Sequence, residues 1–372
     1  MKKILIIAYP PLDKDPRPNR QIKWLSEKFV IDTLGTKRSG LENKFIRLEK
    51  LSYFQELVRV PLLFFGFYSF FYWDRFKKRL LREVKFDNYN VIIVHEIRLI
   101  PLALKISSNS RIILDAHEYS PENFSDQFIW KYTYRKYYLW LCKNYLNYCD
   151  KVLTVSEGIA NLYRKNFNID AQVINNASEY VDLEPQKIDP NHIKIIHHGN
   201  ASPSRKLELM IDAAKMINSK IHIYLMLVVS NSNKRYYKRL KKKAKLLNNI
   251  HFIKPVAYSE IIKFCNDFDL GIQFHPPTNL NLKFGLGNKF FEFIQSRLGI
   301  IIGPAEEMIG YVLKYNLGIV TKNFEPISLA NALNSLTSND IMYFKENAHK
   351  CAKELSSELE RKKLLEIITK ML

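Results

Sequence analysis

The chain has 372 residues, 47% of them hydrophobic, with 12 glycines and 15 prolines. That length accommodates two domains with separate cores, and the composition excludes a low-complexity chain. Lys and Arg outnumber Asp and Glu by 57 to 37, a formal net charge of +20; this favours nucleic acid, an acidic membrane surface or a phosphorylated substrate without choosing among them.

Met1-Lys2-Lys3 before Ile4-Leu5-Ile6-Ile7 mimics a signal peptide, but the apolar run is short and Pro10-Pro11 follow at once. A β-branched run of this kind predicts a buried parallel strand over 4–9. A loop then runs through Pro18 and leads into helical periodicity through Leu25, with Arg17 and Arg20 at the loop exit, where a strand end opens onto a ligand crevice; a solvated basic turn is the plainer alternative. A second strand is expected at 30–34. Residues 54–85 are first aromatic, then basic. Val60 to Trp73 holds 14 uncharged residues, eight of them Phe, Tyr or Trp. As a helix this stretch spans only about 21 Å, short of a ~30 Å hydrocarbon core. Arg75, Lys77, Lys78, Arg79, Arg82 and Lys85 follow directly, so residues 60–85 predict docking on an anionic membrane surface, against the alternative of core aromatics and solvated cations.

Strands are predicted at 91–94, ending in His95-Glu96, and at 111–114, closing on Asp115-Ala116-His117-Glu118, with a helix over about 98–106 between them. A helix over 124–149, a strand at 151–155, a helix capped by Ser156 and ending near Phe167, and a strand at 171–174 complete the first half. Residues 179–191, acidic and aperiodic with two prolines, predict a linker. The second half repeats the alternation, with strands at 193–198, 221–229, 250–253, 268–273, 299–302 and 317–320 and a terminal helix after Lys353. Strands alternating with helices define an α/β chain of doubly wound parallel sheets.

Cys142, Cys149, Cys265 and Cys351 form no CxxC pair, and they read as reduced, mostly buried thiols of a cytosolic protein. His197-His198 end a strand with no partner set for zinc. Asp267-Phe268-Asp269 has metal-pair spacing but marks a turn. The run 234–245 carries eight Lys or Arg at the spacing of a solvated helix, so no nucleic acid partner is expected.

The stretch 284–294, Phe-Gly-Leu-Gly-Asn-Lys-Phe-Phe-Glu-Phe-Ile, carries the most chemistry. Gly285 and Gly287 permit close backbone approach, Asn288 is placed as an N-cap, and Lys289 in the first turn opposes the helix dipole unless an anion offsets both. Together these describe a phosphate seat, with Glu292 one turn on as an acceptor for sugar hydroxyls. An ordinary loop-to-helix junction fits the same residues.

Residues 287–293 resemble the Asn-Lys-x-x-Glu element of family 4 glycosyltransferases with the GT-B fold. Asp13 to Arg17, Leu114 to Glu118, Val155 to Ile159 and Gly199 to Ala213 resemble further elements of that family, in its order. The resemblance implies two Rossmann-like domains facing a central cleft: an acceptor domain over 1–185, a nucleotide-sugar domain over 186–355, and a terminal helix over 356–372 that crosses back to the first. It implies that Arg205 stands where the family has a diphosphate-gripping Lys, with Asn200 in place of the family's Arg and Lys206 at its Gly. Glu292 would hold the ribose, while Phe284 replaces the first glutamate of the family's pair. His117 would be the active-site histidine, and Arg17, Arg20, His95 and Glu118 would line the acceptor side.

The resulting expectation is a retaining, metal-independent glycosyltransferase with no cofactor beyond a nucleoside-diphosphate sugar donor. Its acceptor would be a lipid-linked saccharide in surface polysaccharide synthesis, and the enzyme would be cytoplasmic and peripheral on the inner face of the membrane. A sugar-nucleotide epimerase of the same fold, or a non-enzymatic basic membrane- or nucleic-acid-binding protein, are the alternatives.

Overall fold

The computed structural model describes residues 1–123 and 128–372. The start of the helix expected at 124–149 therefore lies outside the described residues, and helices run over Phe128–Tyr132 and Tyr134–Tyr145. The chain divides into two compact units, one of Met1–Asn175 with Arg361–Leu372, the other of Asn176–Glu360.

The first unit holds seven strands: β1 (Lys3–Ile7), β2 (Val30–Gly35), β3 (Lys44–Arg47), β4 (Val91–His95), β5 (Arg111–Asp115), β6 (Lys151–Thr154) and β7 (Gln172–Val173). They pair in parallel in the order β3-β2-β1-β4-β5-β6-β7. β3 was not foreseen, because Lys44-Phe45-Ile46-Arg47 is too short and too charged to announce a strand. Successive strand residues face opposite sides. Ile4, Ile6, Val91, Ile93 and Ile113 share one core with Ile22 and Leu25 of the helix Pro16–Ser26 and with Leu364 and Ile368 of the helix Ser357–Met371.

The second unit's six strands are β8 (Ile193–Asn200), β9 (Ile221–Val228), β10 (Ile250–Ile253), β11 (Leu270–Gln273), β12 (Gly299–Ile302) and β13 (Gly318–Val320), again all parallel, in the order β10-β9-β8-β11-β12-β13. Ile195, Ile223 and Ile272 face one core, whereas Ile196, Ile300 and Ile302 face the other. The residues expected to form a linker belong to this unit: Arg297 donates to the Val181 carbonyl at 2.7 Å, and Asn266 donates to the Glu184 carbonyl at 3.0 Å.

In each sheet the strand order reverses once, between β1 and β4 and between β8 and β11. Ligand crevices in doubly wound sheets form at the carboxyl ends of the strands flanking such a reversal. In the first unit those ends deliver the loop after Ile7 and His95; in the second they deliver His197 to Asn200 and, two residues beyond β11, His275.

The segment 53–83 forms four helices, Tyr53–Leu57, Val60–Phe64, Tyr68–Tyr72 and Arg75–Glu83. No helix among the described residues is long and apolar enough to cross a membrane. Leu63 and Tyr72 turn inward, and Phe71 packs edge-on against Tyr134 and Tyr137. Phe64, Phe65, Phe67 and Phe70 are between 53% and 72% exposed. Arg75, Lys78, Arg79, Arg82 and Lys85 are exposed, but Lys77 is buried against Asp74.

Candidate active site

In the second unit the helix Asn288–Gln295 is anchored by Phe290, Phe291, Phe293 and Ile294, all buried against Ile196, Ile300 and Ile302. Each such side chain stabilises the packing by roughly 1.5–3 kcal/mol. Gly271 of β11 sets the approach distance: a Cβ there would lie 2.4 Å from the Phe293 ring. This close contact fixes the first turn, and so Lys289, over the ends of β8 and β11.

Gly199, at φ +126, brings the other cation in. A Cβ on Gly199 would sit 2.6 Å from Arg205 Nη1 and 3.6 Å from Lys289 Nζ, so both cations converge over one bare backbone position. Lys289 Nζ also lies 3.4 Å from His197 Nε2 and 3.4 Å from His275 Nε2. The Glu292 carboxylate, on the same helix, is the acidic group whose charge acts on Lys289. Burial lowers the Arg205 guanidinium, and burial followed by the charge of Arg205 lowers the Lys289 amine well below its ordinary value. Two cations crowded at a helix start, against the dipole, form an arrangement that an anion relieves.

The remaining residues of this stretch are placed differently from expectation. Asn288 is the first residue of the helix rather than its cap; Gly287 is the N-cap, and no side chain bonds there. Gly285 serves chain closure, since a Cβ on it would meet the Asn281 carbonyl at 2.3 Å. Gly287 has open space about it and leaves the helix mouth bare. Glu292 is buried with its carboxylate 3.4 Å from His198 Nε2. Lys206 is exposed, in left-handed backbone at φ 49. Asp269 does mark a structural turn, accepting from the Lys194 amide at 2.8 Å.

In the first unit Asp115 ends β5 directly opposite His95, which ends β4. Arg17 donates to both Asp115 oxygens, at 2.7–3.1 Å, and to the Ile174 carbonyl at 2.8 Å; Gln21 adds a 2.6 Å bond to Asp115. Arg17 is therefore only 4% exposed and is spent on an internal carboxylate, not turned toward an acceptor. The loop motif that marked it sits where expected, but the helix that Asp15 caps points its first turn into the interior. Arg20 is also buried. Although burial alone would raise Asp115, Arg17 holds it well below the usual carboxylate range.

His95 Nδ1 and His117 Nε2 lie 2.8 Å apart, with Asp115 3.6 Å from the same His95 nitrogen. Burial pushes His95 to about 4 and His117 to about 3. The nearby carboxylate favours a hydrogen on His95 Nδ1, which makes His117 Nε2 the acceptor and leaves the His117 Nδ1–H as a donor. His95, Asp115 and His117 offer ligand atoms within 4.8 Å of one another. Asp115 is already saturated by Arg17 and Gln21, so a metal ion would have to displace a guanidinium; the group fits a hydrogen-bond relay better. Desolvation, and after it the charge of Glu96, raises the Glu118 carboxyl.

Two reversed parallel sheets, with a two-cation seat at one reversal and a histidine pair at the other, define a GT-B glycosyltransferase. The Glycosyltransferase Family 4 model matches residues 35–184 and the Glycosyl transferases group 1 model matches residues 181–355. The chain belongs to the family 4, group 1 glycosyltransferases and is an enzyme of that class. No curated protein matches it in sequence. Among solved structures it is similar to Anabaena Alr3699/HepE in complex with UDP (14% identity, 100% of both chains, TM-score 0.70). It is similar also to a glycosyltransferase from Rickettsia africae ESF-5 (14% identity, 100% of this chain and 98% of that one, TM-score 0.70). TarM matches 78% of this chain at 16% identity and a TM-score of 0.62, and the chain spans 57% of TarM's length.

Proposed function

We propose that this enzyme transfers a sugar from a nucleoside-diphosphate sugar to an acceptor hydroxyl, with retention of anomeric configuration and without a metal ion. The observation that carries this reading is the convergence of Arg205 and Lys289 over Gly199 at a helix start. Fixed cations and free backbone N–H groups stabilise a departing diphosphate without a metal. That Anabaena Alr3699/HepE, of the same fold, has a structure in complex with UDP supports a nucleoside-diphosphate donor. Glu292 takes the ribose hydroxyls, and the His117 Nδ1–H serves the transferred sugar. Turnover of nucleotide sugars in excess EDTA, with the product anomer read by NMR, is the experiment that tests the reading.

The acceptor is a lipid-linked saccharide of surface polysaccharide synthesis, met at the cytoplasmic face of the membrane. Supporting this, exposed Phe64, Phe65, Phe67 and Phe70 stand next in the chain to the exposed cations of 75–85, the pairing that suits a headgroup boundary over anionic lipid. The chain is expected to sediment with anionic vesicles and not with neutral ones, less so at high salt. Phe64, Phe67 and Phe70 changed together to Ser should abolish sedimentation without lowering Tm, because all three are exposed. Indifference of the folded native chain to anionic vesicles at low salt would remove the membrane from this account.

A further inference from the structure

Lys289 meets an unusual set of neighbours for a half-buried lysine. The Ile272 carbonyl lies 2.9 Å from His197 Nδ1. A carbonyl only accepts, so that nitrogen carries the hydrogen and His197 Nε2 presents a lone pair to Lys289. His275, 8% exposed, places its own Nε2 at the same 3.4 Å distance, with the Phe274 and Arg205 backbone acting on its ring. The other ionisable groups facing Lys289 are Arg205 from the turn after β8, His198 from β8 and Glu292 from its own helix. An uncharged amine has two hydrogens, one for each imidazole. An ammonium has a third, which a phosphate oxygen of a bound diphosphate would accept.

We propose that Lys289 is an uncharged amine between His197 and His275 in the free site, and that a nucleoside diphosphate is bound together with one solvent proton, which forms the third N–H bond of Lys289. On departure of the diphosphate the proton returns to solvent. The inference rests on the donor reading above. Burial and the guanidinium of Arg205 act in its direction, and Glu292 acts against it. His197 and His275, both held neutral by burial, are positioning residues for the amine.

The sign follows from linkage. The amine's affinity for protons is low in the free site and higher in the bound one. Between those two values binding takes up a proton, and Kd rises with pH by up to about tenfold per unit; below the lower value the dependence vanishes. The test is calorimetric titration of the full chain with UDP, GDP, TDP and ADP between about pH 7.5 and pH 9.5, in buffers of differing ionisation enthalpy. Phosphate groups whose second pKa is about 6 are fully ionised there, so uptake belongs to the protein. Uptake approaching one proton, with Kd rising across the range, is expected. Lys289→Arg, whose guanidinium cannot lose its charge, should bind with no uptake and a flat Kd. Tight binding by the native chain with no proton uptake and a flat Kd overturns the inference alone, as does equal uptake in the Arg variant. Failure of all four diphosphates to bind overturns the inference together with the donor reading.

Discussion

Lys289→Ala and Arg205→Ala are each expected to weaken nucleoside-diphosphate binding by tenfold or more while leaving nucleoside binding nearly unchanged. A charge-assisted phosphate contact is worth roughly 1.5–3 kcal/mol, and about 1.4 kcal/mol is a factor of ten. The two cations converge on one point over Gly199, so both act on the diphosphate and neither on the base. Paired titrations of each variant with UDP and uridine, or the corresponding pair for whichever base binds, check this. Equal losses for diphosphate and nucleoside would show that the substitutions damage the fold and not a phosphate seat.

His117→Ala is expected to cut turnover about a hundredfold or more, the usual scale for losing one preorganised hydrogen-bond donor, with donor affinity and Tm nearly intact. With His95 at about 4 and His117 at about 3, neither ring gains a proton until the medium is strongly acidic. The pH profile of turnover should therefore lack an inflection near the ordinary imidazole value of about 6.5. The same depression has a stability consequence. The unfolded chain protonates these imidazoles below about pH 6.5, so the stability they leave intact above that pH is lost as pH falls toward their folded values. A variant that melts lower yet keeps its specific activity would make His117 structural.

The sequence conveyed the architecture well, because buried parallel strands are written as uninterrupted β-branched runs such as Ile4 to Ile7 and Val91 to Val94. It conveyed Gly199 with Arg205, and Lys289, through two motifs that are each only a few residues long. It did not convey Asp115 as the partner of Arg17, since that pairing spans 98 positions and exists only because β5 ends beside the first turn of a distant helix. For the same reason Arg17 read as a crevice residue. In the sequence His197 reads only as a strand-end residue lacking a zinc set, and His275 belongs to no motif. His197 lies in β8 and His275 two residues beyond β11, and only the adjacency of these strands in the second sheet brings the two histidines together. Asn288 reads as a cap because Asn is a strong cap by type, whereas the cap position falls one residue earlier, on the bare Gly287.

The central claim, that the enzyme moves a sugar from a nucleoside diphosphate to an acceptor hydroxyl without a metal, is tested most directly by turnover. The native chain is incubated in excess EDTA with UDP-, GDP-, TDP- and ADP-hexoses, with a membrane lipid extract supplied as acceptor. The account predicts that one of these donors releases its nucleoside diphosphate and that the sugar enters the lipid fraction with its anomeric configuration unchanged. Release of free sugar with no need of the extract would instead select the epimerase alternative, and no release from any donor would contradict the account.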